Sequence, residues 1–192
     1  ALRTLDAGSW KGERWAGERV PLLREVLKEI PPGRKILIEV KGGPETVEPR
    51  VGELAAARES GWITNEQVEV ISFRLPVLQA MRRADGQQKL LLLIPPPGKA
   101  HGSVEEWIAL ALRGRFEGLN IHFRWLLEEG CVEKIKAAGL RCYGWTVNDP
   151  KVADELWRNG VDAVTTDVPG LTRKAFLSGR EGDGGAEGGS SK

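Results

Sequence analysis

Six short aliphatic runs recur along the chain, and each is followed by a segment with helical character. The runs are Ile36–Lys41, Val68–Phe73, Lys89–Ile94, Gly118–His122, Leu140–Val147 and Val161–Asp167. Runs of this length, rich in β-branched and aliphatic residues and bounded by turn-forming residues, indicate buried strands. Such strands alternating with helices are typical of a parallel sheet that helices cover. We therefore predict an α/β fold.

The C-terminal ends of these predicted strands carry the side chains best suited to chemistry. They include Glu39, Lys41, Phe73, His122 and Trp145. In a β/α barrel the corresponding strand ends surround one mouth, where the active site lies. A closed barrel needs eight strands and typically about 250 residues, whereas this chain offers six in 192 residues. We predict an incomplete (β/α)8 TIM-type barrel with about six of the eight strands present.

An incomplete barrel leaves sheet edges unpaired. Six strands cannot close at the usual tilt, and we expect the first of them, Ile36–Val40, to form one exposed edge. Residues 1–178 are assigned to the partial barrel, and residues 179–192, which are rich in Gly, Ser and Glu, to a disordered tail. Because Ala1 stands in the middle of the pattern, we expect that the true start of the protein is missing.

The charge balance and the cysteines restrict the partners and the compartment. The chain has 28 basic and 27 acidic residues, so its charge favours neither nucleic acid nor a membrane surface as a partner. The sequence shows no apolar run long enough to span a bilayer and no recognisable signal peptide. Cys131 and Cys142 lack the spacing of a metal site, which predicts reduced thiols and a cytoplasmic location.

The first strand ends in two opposite charges. Because side chains alternate along a strand, Leu37, Glu39 and Lys41 are expected on the same face. A carboxylate and an ammonium on an apolar strand are costly to bury unless they are paired or used in chemistry. Two interpretations stay open, an ion pair at the rim of the core and a functional pair at the mouth.

Two helices carry sequence signals at their ends. Ser103 with Glu106 three residues later forms a capping box, which predicts that a helix begins there. Leu126–Ala138 is predicted to be a single helix, because Gly139 follows it as a typical C-terminal stop.

Six sequence blocks add a pattern that spans most of the chain. In chain order they are Leu5–Trp10, Val20–Val26, Ile38–Lys41, Ile71–Phe73, Gly144–Asn148 and Gly160–Pro169. In this order and spacing they resemble the glycerophosphodiester phosphodiesterase family, from Leu2 to about Phe176. The Trp-Thr-Val-Asn block and the Gly-Val-Asp…Thr-Asp block carry the strongest part of this resemblance.

The resemblance implies a fold, a reaction and a set of site residues. Members of this family are β/α barrels that hydrolyse a small-molecule glycerophosphodiester to glycerol 3-phosphate and an alcohol, with the divalent cation Ca²⁺ or Mg²⁺. By matching position, Glu39 is implied as a metal ligand, Lys41 as a contact of the substrate phosphate, and Trp145 as a wall of the substrate cleft. A carboxylate suits a hard cation and an ammonium suits a phosphate oxygen. Phe73 and His122 are further candidates at the mouth.

The sequence also departs from the family pattern. The family's His-Arg-Gly, Glu-x-Asp and His-Asp motifs, which carry the catalytic histidine pair and most metal ligands, are absent. We expect that pair upstream of Ala1. The chain has two histidines, of which His101 is expected in a solvated loop and His122 at a strand end. One histidine cannot supply both the acid and the base step, so we expect this chain alone to be inactive.

Two other functions stay open at this point. The chain could be a non-catalytic, ligand-binding remnant whose sheet is capped in another way. It could also be a different barrel enzyme in which Lys41 forms a Schiff base with a carbonyl substrate. That chemistry needs a neutral amine, which the nearby carboxylate of Glu39 disfavours. The sequence does not specify the leaving alcohol, the preferred cation or the oligomeric state.

Overall fold

The computed structural model describes residues 2–174, so the predicted tail at 179–192 lies outside the described residues. The strands in this range are β1 Ile36–Glu39, β2 Val68–Ser72, β3 Lys89–Ile94, β4 Gly118–His122, β5 Arg141–Trp145 and β6 Ala163–Val164. The α-helices are α1 Leu23–Lys28, α2 Val47–Glu59, α3 Leu75–Ala84, α4 Val104–Gly114, α5 Phe123–Leu126, α6 Cys131–Ala137 and α7 Pro150–Arg158. A further helical segment covers 169–174.

The six strands form one parallel sheet in chain order. Each strand pairs with the next, from β1 beside β2 to β5 beside β6. Within residues 2–174, β1 and β6 do not pair with each other, so they form the two edges of an open, partial barrel. The predicted α/β class, the incomplete barrel and the edge position of the first strand are confirmed. Among the helices of residues 2–174, none has the length and apolar character that a bilayer-spanning helix needs.

The two faces of the sheet bury different sets of side chains, because successive residues of a strand point to opposite faces. The face under the helices includes the buried residues Val70, Leu90, Leu92, Leu119 and Ile121. The inner face of the partial barrel holds a separate apolar cluster of Ile71, Leu91, Leu93 and Tyr143, packed with Leu37 and Trp145. The inner face therefore leads from an apolar middle layer towards Trp145 at the strand ends.

Local signals explain where α4, α5 and α6 begin and end. The capping box before α4 is confirmed, because the backbone N–H of Ser103 donates to Glu106 Oε2 at 2.7 Å and the Glu106 N–H donates to Ser103 Oγ at 3.4 Å. The single helix predicted over Leu126–Ala138 is wrong. Gly130 has a φ of 73°, which favours glycine, and this residue separates α5 from α6.

A group of charged side chains lies on the inner face at the N-terminal ends of the strands, opposite the mouth. Its centre is Glu69, whose side chain is fully buried and accepts hydrogen bonds from Lys35 at 3.1 Å and from Arg141. Burial, together with the hydrogen bond and charge of Glu69, raises the pKa of Tyr143 to about 12. The cluster therefore places a carboxylate in the barrel interior with two cations to neutralise it.

Candidate active site

The candidate site residues lie at the C-terminal ends of neighbouring strands. Glu39 is the last residue of β1, and Phe73 follows the last residue of β2. His122 ends β4 and Trp145 ends β5, and these two residues are register partners in the parallel sheet. Because all strands run in the same direction, their ends lie along one rim of the sheet. The structure thus brings four predicted positions to the same rim.

Glu39 and Lys41 form an accessible pair at this rim. Lys41 Nζ lies 3.7 Å from Glu39 Oε2, and the two side chains are 80% and 33% exposed. The period-two prediction that they share a side is consistent with this contact. Since neither charge is buried, the pair does not carry the desolvation cost that a core ion pair would. Both groups therefore remain able to contact a ligand.

The turn after β1 is fixed by its neighbour. Ser72 Oγ, at the end of β2, donates to the carbonyl oxygen of Val40 at 2.7 Å and accepts from the Arg74 N–H at 3.1 Å. Gly42 permits a close approach there, because a Cβ atom on it would lie 2.7 Å from the Thr46 side chain. These contacts set the path of the backbone that carries Glu39 and Lys41.

Three aromatic rings form a wall at the same rim. The Trp145 ring packs edge-to-face against Phe73, with centroids 5.5 Å apart, and against His122, with centroids 5.1 Å apart. The Trp145 Nε1–H donates to the carbonyl oxygen of Asn120 at 3.1 Å, which satisfies the polar edge of the indole. Phe73 is 44% exposed, so the wall presents apolar surface to the mouth.

His122 is held as part of this wall. Its Nδ1 accepts the backbone N–H of Arg124 at 3.4 Å, and its ring stacks on Phe123 with centroids 4.9 Å apart. Burial, with a smaller contribution from the charge of Arg124, lowers the pKa of His122 below its ordinary value of 6.5. The environment thus favours the neutral imidazole.

The lowered pKa of His122 predicts a pH-dependent stability. The unfolded chain binds a proton at His122 more readily than the folded chain, so the free energy of unfolding rises with pH through this window. The contribution of the neutral imidazole is fully present above the ordinary pKa of 6.5 and is lost as pH falls towards the folded-state pKa. Chemical denaturation at several pH values should show a weaker dependence between pH 5 and 7 for His122→Gln.

His101→Gln is the matched control for this prediction. His101 lies in an exposed loop outside the aromatic wall, so His101→Gln removes an imidazole from the chain without changing the surroundings of His122. If His122→Gln and His101→Gln give the same curve as the parent, the environment assigned to His122 is wrong.

One residue at the rim is of the kind that binds hard cations. Glu39 offers carboxylate oxygens of the kind that Ca²⁺ and Mg²⁺ prefer. Within residues 2–174, no group of three or more His, Cys, Asp and Glu side chains converges to hold a metal ion. The described residues therefore fit one ligand of a hard-cation site and not the complete set.

Sequence reasoning predicted each residue of this rim separately but not the contacts among the aromatic residues. Phe73, His122 and Trp145 come from three different strands, and their packing depends on the register of the sheet. Asn120 was predicted as part of a strand but not as a residue of the site. Its backbone carbonyl anchors Trp145, and its side-chain Oδ1 is buried without a hydrogen-bond donor among the described residues.

Known proteins were found that match most of the chain. The model of the glycerophosphoryl diester phosphodiesterase family matches residues 1–171. The chain is 34% identical over 171 residues to YhdW of Bacillus subtilis, which is assigned as a glycerophosphodiester phosphodiesterase, covering 88% of this chain and 67% of that protein. It is 31% identical over 172 residues to a glycerophosphodiester phosphodiesterase of Caldanaerobacter subterraneus, covering 88% of this chain and 66% of that protein. The chain thus spans about two thirds of the length of these relatives.

Solved structures match the fold as well. A phosphodiesterase from Oleispira antarctica, solved in complex with the product sn-glycerol-3-phosphate, superposes with a TM-score of 0.76 at 26% identity, covering 92% of this chain and 69% of that one. A glycerophosphodiester phosphodiesterase from Parabacteroides distasonis superposes with a TM-score of 0.64 at 25% identity, covering 86% of this chain and 67% of that one. These matches establish that the chain belongs to the glycerophosphodiester phosphodiesterase family, a family of enzymes.

Proposed function

We propose that the protein hydrolyses a glycerophosphodiester to glycerol 3-phosphate and an alcohol, and that the rim described above forms part of its active site. The observation that carries this proposal is the accessible pair of Glu39 and Lys41, 3.7 Å apart, at the strand ends that also carry the aromatic wall. The relative from Oleispira antarctica was solved with the product sn-glycerol-3-phosphate, which supports a small-molecule substrate of this class.

Lys41 and Trp145 have different roles in this proposal. The Lys41 ammonium is a point charge that neutralises a phosphoryl oxygen of the substrate. This contact stabilises the transition state, in which the phosphoryl oxygens carry the developing charge. Trp145, held against Phe73 and His122, presents an apolar surface that holds the leaving alcohol. In this proposal Trp145 binds the leaving alcohol, and Lys41 stabilises the charge on the phosphoryl group.

Glu39 is proposed as one ligand of a divalent cation, Ca²⁺ or Mg²⁺. Such a cation, when bound, polarises phosphoryl oxygens as a Lewis acid. The carboxylate of Glu39 is accessible for this purpose, and Lys41 is close enough to contact the same phosphate. Within residues 2–174 no group of three or more His, Cys, Asp and Glu side chains converges around a metal position, so Glu39 is proposed as a single ligand and not as part of a complete set.

The acid and base steps are assigned to groups outside the described residues. His122 has its Nδ1 engaged by the backbone N–H of Arg124, and His101 lies in an exposed loop, so the rim offers one histidine and not an acid–base pair. A diester hydrolase needs both a proton acceptor and a proton donor. We therefore propose that the 192 residues alone bind ligand without hydrolysing it.

Two further parts of the account stay proposals. A cytoplasmic location agrees with Cys131 and Cys142, which are free and buried thiols. A Schiff base on Lys41 is not favoured, because its side chain is 80% exposed and lies beside Glu39, whereas that chemistry needs a desolvated amine.

The cation ligand is tested by Glu39→Gln in the complete encoded protein. Removing the carboxylate charge should lower the hydrolysis rate of glycerophosphocholine by roughly 10²-fold, because ligands and charged groups at such sites contribute several kcal/mol to the transition state. It should also raise the concentration of Ca²⁺ or Mg²⁺ that gives half-maximal activity. Both quantities come from one set of rates measured across a cation titration.

Glu59→Gln is the control, since Glu59 is an exposed carboxylate at the last residue of α2, a helix that runs from the C-terminal ends of the strands back towards their N-terminal ends. It should leave the rate and the cation dependence unchanged. An unchanged rate and an unchanged cation requirement in Glu39→Gln would refute the ligand role.

A further inference from the structure

The last two strands are joined by a very short ladder. β6 has two residues, Ala163 and Val164, that pair with β5. Beyond them the two chain segments stay together through the Thr165 N–H, which donates to Gly144 at 2.8 Å, and the Val147 N–H, which donates to Thr165 at 2.8 Å. So short a backbone ladder gives little stability of its own at the end where Trp145 leaves the sheet.

The side chain of Asn148 continues this connection past the ladder. Its Oδ1 accepts the Asp167 N–H at 2.8 Å and the Thr166 hydroxyl at 3.2 Å. Its Nδ2 donates to Asp167 Oδ2 at 2.8 Å. A carboxamide is suited to this arrangement because it accepts and donates at the same time. We call these contacts of Asn148, Thr166 and Asp167 the asparagine clamp.

The clamp lies on the same chain segment as Trp145. Trp145 precedes Asn148 by three residues, and its ring makes a single described hydrogen bond, to the carbonyl oxygen of Asn120. The next residue, Asp149, has a separate role, since its carboxylate accepts the Lys151 N–H at 2.8 Å and caps α7. The two neighbouring residues therefore have different roles. Asp149 caps α7, and Asn148 forms hydrogen bonds to the segment that follows β6.

We propose that Asn148 is a positioning residue, which through the asparagine clamp holds Trp145 in the orientation that contacts substrate. The value of this orientation for binding rests on the proposed function, whereas the orientation itself can be measured without substrate. Losing the clamp leaves the segment between Trp145 and α7 with its backbone contacts to an edge strand and the buried side chain of Val147, and with no side-chain hydrogen bond from Asn148 to the end of that strand. The ring then samples other positions against Phe73 and His122.

The test uses the complete encoded protein labelled with 5-fluorotryptophan, in which the Trp145 resonance is assigned by its loss in Trp145→Phe. Asn148→Ala should shift or broaden this fluorine resonance and increase its solvent isotope shift in D₂O. The resonances of Trp107 and Trp125, which donate to His101 and Pro95, serve as internal controls and should not move. Asp149→Ala should lower thermal stability without moving the Trp145 resonance.

A pair exchange separates the clamp from general damage. Asn148→Asp places two carboxylates against each other and should disturb the Trp145 resonance as Asn148→Ala does. The double variant Asn148→Asp with Asp167→Asn restores one acceptor and one donor at this contact, so it should return the resonance towards its original position. In hydrolysis, Asn148→Ala should raise KM by roughly fivefold with kcat changed by less than about twofold, as expected when a binding contact is loosened.

The outcomes distinguish the two claims. A Trp145 resonance that is the same in Asn148→Ala as in the parent would overturn the positioning role. If the resonance moves and the exchange restores it, but KM does not change, the positioning role stands and the proposed contact of Trp145 with substrate fails. A resonance that the exchange does not restore would attribute the effect to something other than the clamp and would also overturn it.

Discussion

Replacing Arg141 with methionine should lower the free energy of unfolding by about 2–3 kcal/mol, because it leaves the buried carboxylate of Glu69 with one cation instead of two. Glu69 is fully buried on the inner face, and Arg141 and Lys35 both donate to its Oε1. The expected effect is smaller than for a completely buried pair, since Arg141 is one-third exposed and Lys35 remains. Urea denaturation at pH 7 measures the difference.

Two further variants make this prediction specific. Arg141→Met combined with Glu69→Gln should recover more than half of the loss, because the uncompensated charge is then absent. Arg158→Met removes an arginine whose partner Asp154 lies one helical turn away on the surface, and it should cost at most about 0.5 kcal/mol. Equal losses in Arg141→Met and Arg158→Met would show that the cluster around Glu69 does not stabilise the inner face.

The parallel sheet and its strand order follow from local features of the sequence. Lys89–Ile94 and Gly118–His122 agree residue for residue with the observed strands, because each is an apolar run bounded by residues that stop it. The last run, Val161–Asp167, contributes two paired residues to the sheet. Single backbone hydrogen bonds extend the contact by one residue on each side, because the Asp162 N–H donates to Cys142 and the Thr165 N–H donates to Gly144.

The contacts of buried charges could not be predicted from the sequence in the same way. Glu69 stands inside the run Val-Glu-Val-Ile-Ser, where an isolated carboxylate is indistinguishable from a residue on a solvated strand face. Its partners Lys35 and Arg141 are 34 and 72 residues away along the chain. They become neighbours through the curvature of the sheet, which no local pattern specifies.

In the candidate site, too, contacts within one strand could be predicted from the sequence, whereas contacts between strands could not. Glu39 and Lys41 could be placed together from the alternation of side chains along one strand, and their contact agrees with it. The clamp of Asn148 on Asp167 joins two strand ends, so it was not predictable from either motif alone. A signal was present, since Asn148 directly follows one predicted strand and Asp167 ends another, and Asn and Asp side chains form hydrogen bonds in turns.

Lys41→Ala should have the largest effect on catalysis among the rim residues that bind substrate. Its ammonium meets the charge of the reacting phosphoryl group, and loss of such a contact costs roughly 10²–10³-fold in rate. Trp145→Ala removes a surface for the leaving alcohol, and we expect a loss of roughly tenfold, mainly in KM. Lys99→Ala is the matched control, because Lys99 is an exposed lysine in the loop after β3, at the same end of the sheet.

The measurement that tests the account most directly is kcat/KM for glycerophosphocholine hydrolysis by the complete encoded protein and by these three variants, at saturating Ca²⁺ or Mg²⁺. We expect kcat/KM to fall most in Lys41→Ala, less in Trp145→Ala and not at all in Lys99→Ala. A Lys41→Ala protein that keeps kcat/KM within about twofold of the parent would contradict the assignment of this rim as the substrate site.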